Sequence, residues 1–327
     1  MIENPAMPAV ALYCSDETAR YGFGDDHPFG PDRQQAFLDA LAEAKLDQRV
    51  ITRRPHPAGE SELLLFHEPQ LLDFVRDRCA REGGFLDFGD TPADEHIFDA
   101  ARHVVGATLL AIDDVMARRV RYGFVPIGGL HHASRKAVAG FCVFNDIGIA
   151  IEILRRQHGI SRIAYVDIDA HHGDGVFYAF EDDPDLVFVD LHQDGRTLYP
   201  GTGHAHERGR GDAEGRKLNL PLPPGTGSGG FRNAWDKAEA FLEQHQPEFI
   251  LLQCGADSLG GDPITQLDLA ADDHAFVAGR VAELAERHAG GRLVAMGGGG
   301  YNRRNIGLGW SAVVGALLDA GAAADKT

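Results

Sequence analysis

Residues 163–176 read Ile-Ala-Tyr-Val-Asp-Ile-Asp-Ala-His-His-Gly-Asp-Gly-Val, so a four-residue apolar run leads straight into three aspartates and two histidines. The first half has the composition of a buried strand. No buried strand carries Asp167, Asp169, His171, His172 and Asp174 without compensation, because burying an unpaired charge costs several kcal/mol. Side chains alternate faces along an extended chain, so Asp167, Asp169 and His171 are expected to project to one side. Carboxylates and an imidazole converging on one point suit a divalent metal. A turn that merely caps the next helix would need one Asp, not five ionisable groups. The run supplies two or three ligands at most, so the rest must come from elsewhere in the chain.

A chain of 327 residues with 44% hydrophobic content fits one large α/β domain, or two ordinary ones, with ample core. Its formal net charge of −18 argues against a nucleic-acid partner, which would need a basic surface. The same charge favours a cationic substrate only mildly, through steering. The four cysteines (Cys14, Cys79, Cys142 and Cys254) form no Cys-x-x-Cys pair, so neither a disulfide framework nor a thiolate zinc site is suggested. The first residues lack the basic and apolar regions of a secretory leader. No stretch is read as approaching a membrane span of roughly 20 apolar residues. A cytoplasmic protein with no membrane partner is the expectation.

Strand-like and helix-like segments alternate. Strands are expected at Val10 to Tyr13, Val50–Ile51, Val125 to Ile127, Ile163 to Val166, Leu186 to Leu191, Phe249 to Leu252 and Leu293 to Met296. Pro31 is expected in the first turn of a helix with a stripe of Phe37, Leu38, Leu41 and Ala42. Short helices are expected at Leu63 to Phe66 and Leu71 to Val75. Longer ones are expected at Ile97 to Ala117, Asp146 to Gln157, Phe231 to His245, Asp272 to His288 and Ile306 to Leu318. Gly83 to Pro92 reads as an acidic loop, and Gly201 to Arg216 as a Gly- and charge-rich loop. The alternation predicts an α/β fold with a mostly parallel sheet flanked by helices, as a single domain over residues 1–327.

Four unusual clusters begin just after predicted strands: His131-His132, Asp167 to Asp174, Asp257, and Gly297 to Tyr301. Ligands bind beyond the carboxyl ends of the strands in an open parallel sheet, so the four should meet along one edge. Asp257 is then the natural third ligand beside Asp169 and His171. Three such ligands with an open position are a catalytic zinc arrangement, although ferrous iron suits the same donors. His131 and His132, in tandem at a strand end, suit a general acid and base. Asp167 and Asp174 could each accept the far ring proton of a histidine. Tyr301 follows four glycines and could aim its phenol at a developing oxyanion. The glycine run lacks the Lys-Ser/Thr ending of a phosphate loop, so nucleotide binding is rejected.

These strings resemble the histone deacetylase and acetylpolyamine amidohydrolase superfamily, with its arginase-type fold. The resemblance rests on Gly-Gly-Leu-His-His-Ala (128–133), Gly-Phe-Cys-Val-Phe-Asn-Asp (140–146), Asp-Ile-Asp-Ala-His-His-Gly-Asp-Gly-Val (167–176), Tyr-Pro-Gly-Thr-Gly (199–203), Gly-Ala-Asp-Ser-Leu-Gly-Gly-Asp-Pro (255–263) and Gly-Gly-Gly-Gly-Tyr-Asn (297–302). Gly-Gly-Leu-His-His and His-Glu-Arg-Gly (206–209) look most like the class I and acetoin-utilisation deacetylases. The resemblance implies zinc on Asp169, His171 and Asp257, with His131 and His132 as the acid/base pair backed by Asp167 and Asp174. It implies that Tyr301 polarises the acyl carbonyl. Gly140, Phe141 and Tyr199 would line a channel for a lysine stem, Asp90 would hold substrate backbone at the rim, and Arg33 would lie at an inner acetate-release end. It also implies structural potassium near Asp167, Asp169, His171, Asp190 and Leu191, and a second near Phe180, Asp183 and Leu186.

Three positions depart from the class I pattern. Asp190 stands where Ser is usual, Tyr199 where Phe is usual, and Leu308 where the corepressor enzymes carry Arg. The expected activity is zinc-dependent hydrolysis of acylated lysine in a protein or peptide. Rival readings are an acetylpolyamine deacetylase, an arginase-like binuclear manganese ureohydrolase, and a non-catalytic acyl-lysine binding protein. The polyamine enzymes more typically carry Pro-Pro-Gly before the histidine pair. The binuclear reading needs more carboxylates near Asp257, yet Asp262 lies five residues away and is followed by Pro263.

Overall fold

Among the described residues, short apolar runs bounded by polar turns give eight strands, β1 (Val10–Tyr13), β2 (Ile51–Arg53), β3 (Tyr122–Val125), β4 (Ile163–Asp167), β5 (Leu186–Gln193), β6 (Lys217–Leu222), β7 (Phe249–Gln253) and β8 (Leu293–Met296). The structure, a computed structural model, describes residues 7–81 and 83–324. The strands form one sheet in the order β2-β1-β3-β8-β7-β4-β5-β6. Every pairing between neighbouring strands is parallel. Strands β1, β3, β4, β7 and β8 are buried along their whole length, as expected of inner strands covered on both faces. The edge strands β2 and β6 are partly open.

The helices are α1 (Asp16–Ala19), α2 (Arg33–Glu43), α3 (Glu60–Leu63), α4 (Pro69–Cys79), α5 (Ile97–Met116), α6 (Asp146–His158), α7 (Asp174–Ala179), α8 (Ser228–His245), α9 (Ala271–His288) and α10 (Arg303–Ala324). Helix α5 packs on α6 and on β1, β3 and β8, while α10 lies against α2 and α9. Helices α8 and α9 cover β5, β6 and β7. This α/β architecture, a parallel sheet flanked by helices, matches the sequence expectation.

Several boundaries differ from the sequence reading for physical reasons. Pro31 lies just outside α2, whose N-cap is Asp32. Strand β6 was not anticipated, because Asn219 and Pro221 interrupt its apolar pattern. Helix α10 runs well past Leu318, because alanines and glycines extend it without a recognisable stripe. At 22 residues α10 is long and apolar enough to span a membrane by composition, contrary to the expectation that no stretch comes near. Its Ile306, Trp310, Val313, Val314, Leu317 and Leu318 are instead buried in the core.

Across the carboxyl end of the sheet, register places Val125, Met296, Gln253, Asp167, Asp190 and Asn219 in one row. Polar residues thus replace apolar ones on β7, β4, β5 and β6 at the same height. The chain that leaves each strand there builds the site.

Trp310 ties α10 to this edge. It is fully buried, its indole N–H donates to the Cys254 carbonyl at 3.0 Å, and its ring lies 5.8 Å from Phe37 and 6.3 Å from Phe124. Trp310→Ala should therefore cost about 3–5 kcal/mol of stability in a denaturant titration. A loss under about 1 kcal/mol would contradict this anchoring role.

Candidate active site

Asp169 and His171 leave the end of β4, and Asp257 leaves the end of β7 beside it. Among the described residues they form a buried group whose ligand atoms all lie within 4.8 Å of one another. His171 Nδ1 is 3.1 Å from Asp169 Oδ1 and 3.0 Å from Asp257 Oδ2. The other carboxylate oxygens are taken by the protein. Asp169 Oδ2 accepts from Gln253 Nε2 at 2.7 Å and from the Gly299 N–H at 2.8 Å, and Asp257 Oδ1 accepts from the Ala170 N–H at 2.9 Å. One atom of each residue is left facing a common point.

Burial and the Asp169 charge raise the Asp257 carboxyl to about 7. Burial also acts to raise Asp169, but His131 and His171 outweigh it and hold it well below the usual range. Burial alone would lower His171, whereas its bonds to the two carboxylates lift it to about 10. The cluster therefore favours positive charge between its two carboxylates, which fits a divalent cation.

Glycine makes the approach of backbone to these carboxylates achievable. A Cβ on Gly299 would sit 2.2 Å from Asp257 Oδ2, and one on Gly255 would sit 2.1 Å from Asp169 Oδ2. Arg33 fixes the glycine loop from below, donating through Nε to the Gly300 carbonyl at 2.9 Å and through Nη2 to the Gly298 carbonyl at 2.6 Å. Its guanidinium is fully buried over the Phe29 ring, and Nη1 has no hydrogen-bond partner among the described residues.

The two adjacent histidines emerge after β3. His131 Nδ1 meets Asp167 Oδ2 at 2.8 Å, and His132 Nδ1 meets Asp174 Oδ1 at 2.6 Å. Their Nε2 atoms face each other at 3.1 Å. Burial, then the charge of His131, lowers His132 to about 4. Asp167 is raised well above the carboxylate range by burial and by the charges of Asp190 and Asp169.

Tyr301 lies within reach of this centre, its ring 6.4 Å from that of His171. Burial and the Asp257 and Asp169 charges hold its phenol well above its usual value, so it remains a proton donor. Asp262 Oδ2 accepts from the Tyr301 N–H at 2.9 Å and Oδ1 from the Ile264 N–H at 3.0 Å. That carboxylate braces the loop and adds no ligand to the cluster.

Phe141 and Tyr199 flank the approach. The Phe141 ring is 5.8 Å from Tyr301, and the Tyr199 ring is 5.1 Å from His132. Phe141 has φ of 65°, a costly conformation for an aromatic residue. Its N–H donates to Thr91 Oγ1 at 3.1 Å and its carbonyl accepts from Tyr21 at 2.6 Å, which holds it there. At Gly140 a Cβ would meet the His132 ring at 2.6 Å, so this position must stay bare. A cavity of about 330 Å³ at the mouth is lined by Asp87, Phe88, Asp90, Val138, Gly140 and Tyr199. Burial, then the neighbouring Asp87, raises Asp90 to about 6.

A histone deacetylase domain model matches residues 27–317. The chain belongs to the histone deacetylase family. It is 35% identical over 304 residues to the acetoin utilization protein AcuC of Bacillus subtilis, covering 90% of this chain and 78% of that one. It is 35% identical over 293 residues to a probable deacetylase of Archaeoglobus fulgidus, covering 88% of this chain and 80% of the relative. Among solved structures, the HDA15 HD domain superposes with a TM-score of 0.86 at 27% identity, covering 95% of this chain and 90% of that one. The family match, with the Archaeoglobus fulgidus relative described as a probable deacetylase, places the chain among hydrolytic deacetylases.

Within this deacetylase-family site, the sequence reading missed several supporting residues. Gln253 closes β7, donates to Asp169 and accepts from the Gly255 N–H at 2.7 Å. Its only signal was an amide at the end of an apolar strand. Asn145 caps α6 and donates to the Ala133 carbonyl at 2.8 Å, and Tyr165 donates to Asp167 from within β4. Asp190 is paired with His192 Nδ1 at 2.6 Å and accepts the Gly173 N–H at 2.9 Å. At the expected second potassium region, the carbonyls of Asp183 and Leu186 accept from the Lys217 ammonium. Leu308 is exposed on α10.

His67 supports the same loops and predicts acid sensitivity. Its Nε2 accepts from the Asn145 N–H at 2.9 Å, so the ring proton sits on Nδ1, facing the Ser134 carbonyl at 3.0 Å. Burial lowers His67 to about 4, and likewise His274, which meets the Ser258 hydroxyl at 2.9 Å. Their unfolded values lie near 6.5, so between pH 4 and 6.5 these two rings bind more protons in the unfolded chain. Each should remove roughly 1 kcal/mol of stability per pH unit as pH drops through that window, while Asp257 and Asp90, raised on folding, act the other way over the same range. The change in denaturant midpoint from pH 7 to pH 5 should therefore be less unfavourable in His67→Gln than in wild type, and an equal change would contradict the role of His67.

Proposed function

We propose that the chain is a zinc-dependent amidohydrolase that removes acetyl or another short acyl group from the ε-amine of lysine. The carrying observation is that the Asp169–His171–Asp257 group lies beside two histidine rings, each backed by its own carboxylate. The two carboxylate oxygens and one imidazole suit zinc, and ferrous iron suits the same donors. When bound, such an ion would supply Lewis acidity and make water acidic enough to react near neutral pH.

The chain's own groups then divide the work. Both histidines turn Nδ1 to a carboxylate, which leaves Nε2 to exchange protons with the reacting groups. One ring takes the proton of the attacking water, and a protonated ring returns one to the departing amine. The 3.1 Å between the two Nε2 atoms lets both rings serve one proton. The protonated Tyr301 phenol donates to the oxyanion as the carbonyl carbon becomes tetrahedral. Phe141 and Tyr199 wall the lysine stem and exclude water, while Asp90 accepts from substrate backbone at the mouth. The spare donor on Arg33 suits a released carboxylate. Buried Asp167 and Asp190 suit a structural potassium ion beside the centre.

Turnover of a substrate panel tests the reading. Metal-loaded protein should cleave lysine peptides bearing short acyl groups, and a zinc chelator should abolish the activity. Cleavage of acetylated polyamines alone would move the enzyme to that substrate class, and peptide binding without turnover would overturn hydrolysis. Tyr301→Phe should lower turnover by ~10²–10³ while leaving the fold intact. Near-normal turnover in that variant would remove Tyr301 from the reaction.

A further inference from the structure

Lys217 opens the edge strand β6, yet it is only 1% exposed. Its ammonium does not sit on a carboxylate. It donates to the Asp183 carbonyl at 2.7 Å and to the Leu186 carbonyl at 2.6 Å. Asp183 lies in the turn between α7 and β5 and Leu186 opens β5, the region at which the family resemblance implies a second potassium ion. The third carbonyl of that region, on Phe180, accepts from the Asp183 N–H at 3.1 Å.

Converging backbone carbonyls present partial negative charge that a cation or a donor must meet. An ammonium is a compact point charge with three donors, so it can fill the same role. An ion on the Asp183 and Leu186 oxygens would have to stand where the Lys217 nitrogen stands. The surroundings also disfavour a further cation. Arg155 is paired with the Asp183 carboxylate, and its Nη2 is buried without a hydrogen-bond partner among the described residues. The guanidinium groups of Arg135 and Arg155 lie 5.1 and 5.8 Å from the Phe180 ring centre. The turn is therefore supplied with cationic donors already. Burial lowers the Lys217 ammonium to about 8, against the nearby Asp183 charge that favours the protonated form.

We propose that Lys217 is a tethered replacement for the second potassium ion, so the 180–186 turn is ordered without a monovalent cation there. The inference rests on the carbonyl geometry and is independent of the metal and substrate proposed for the active site. The region beside Asp167 and Asp190 is different, because two fully buried carboxylates meet there and, among the described residues, no lysine or arginine is bonded to either. The chain should accordingly hold one such ion, not two. Helix α7 begins at Asp174, which backs His132, and ends at this turn, so the substitution fixes an element of the active site.

Anomalous diffraction from crystals of the full chain soaked in thallous ion, a potassium mimic, tests this directly. Wild type should show no ion at the carbonyls of residues 180, 183 and 186. Lys217→Ala, which removes the ammonium and leaves space, should show one. In solution, Lys217→Ala should gain roughly 3–8 °C more in Tm than wild type when potassium replaces choline at equal ionic strength. Lys217→Met, which keeps the stem but not the charge, should show little of that gain. An ion on these carbonyls in wild type, with Lys217 displaced, would overturn the proposal. So would an Ala variant that folds but takes up no ion and shows the wild-type potassium response. Should the Ala variant fail to fold in every salt, the wild-type map alone decides, an ion there refuting the proposal and a clear site supporting it.

Discussion

Two fully buried carboxylates, Asp169 and Asp257, face one imidazole at the carboxyl edge of the sheet, and the remainder of the structure makes that arrangement tolerable. Such groups could not be buried unaided. Gln253, the Gly299 and Ala170 N–H groups and bare glycine backbone satisfy every oxygen that does not face the common point. Arg33 then fixes the glycine loop, and Trp310 fixes the strand end behind it. A loss at any of these supports would move a carboxylate rather than merely loosen a contact.

Parallel topology explains why residues so distant in sequence meet. Strands β3, β8, β7 and β4 are neighbours and point the same way, so their following loops deliver His131 and His132, Tyr301, Asp257, and Asp169 with His171 to one edge. Each histidine of the tandem pair then finds a carboxylate on the segment from β4 to α7, Asp167 at the end of β4 for one ring and Asp174 at the start of α7 for the other. The pair is thus oriented by the same segment that carries two of the metal-type ligands.

Much of this was legible because charge is conspicuous in an apolar strand. Asp167, Asp169 and His171 announced themselves by following Ile-Ala-Tyr-Val, and the strand-end rule joined them to Asp257 and Tyr301. Gln253 was hidden because a neutral amide at a strand end resembles an ordinary turn residue. Lys217 was hidden more deeply. A lysine after Gly-Arg reads as solvated surface, and only the pairing of β6 with β5 brings its stem inward. Pro221 and Asn219 masked the strand that carries it. The bracing by Asp262 and Arg33 acts through backbone groups, for which a sequence offers no pattern.

The central claim is that Asp169, His171 and Asp257 hold one divalent ion that the rest of the site serves. Titrating chelator-stripped protein with zinc, followed by calorimetry, tests it most directly. The account requires one tight site per chain, lost on Asp257→Asn with the fold retained. Two tight sites, or undiminished binding in that variant, would contradict it.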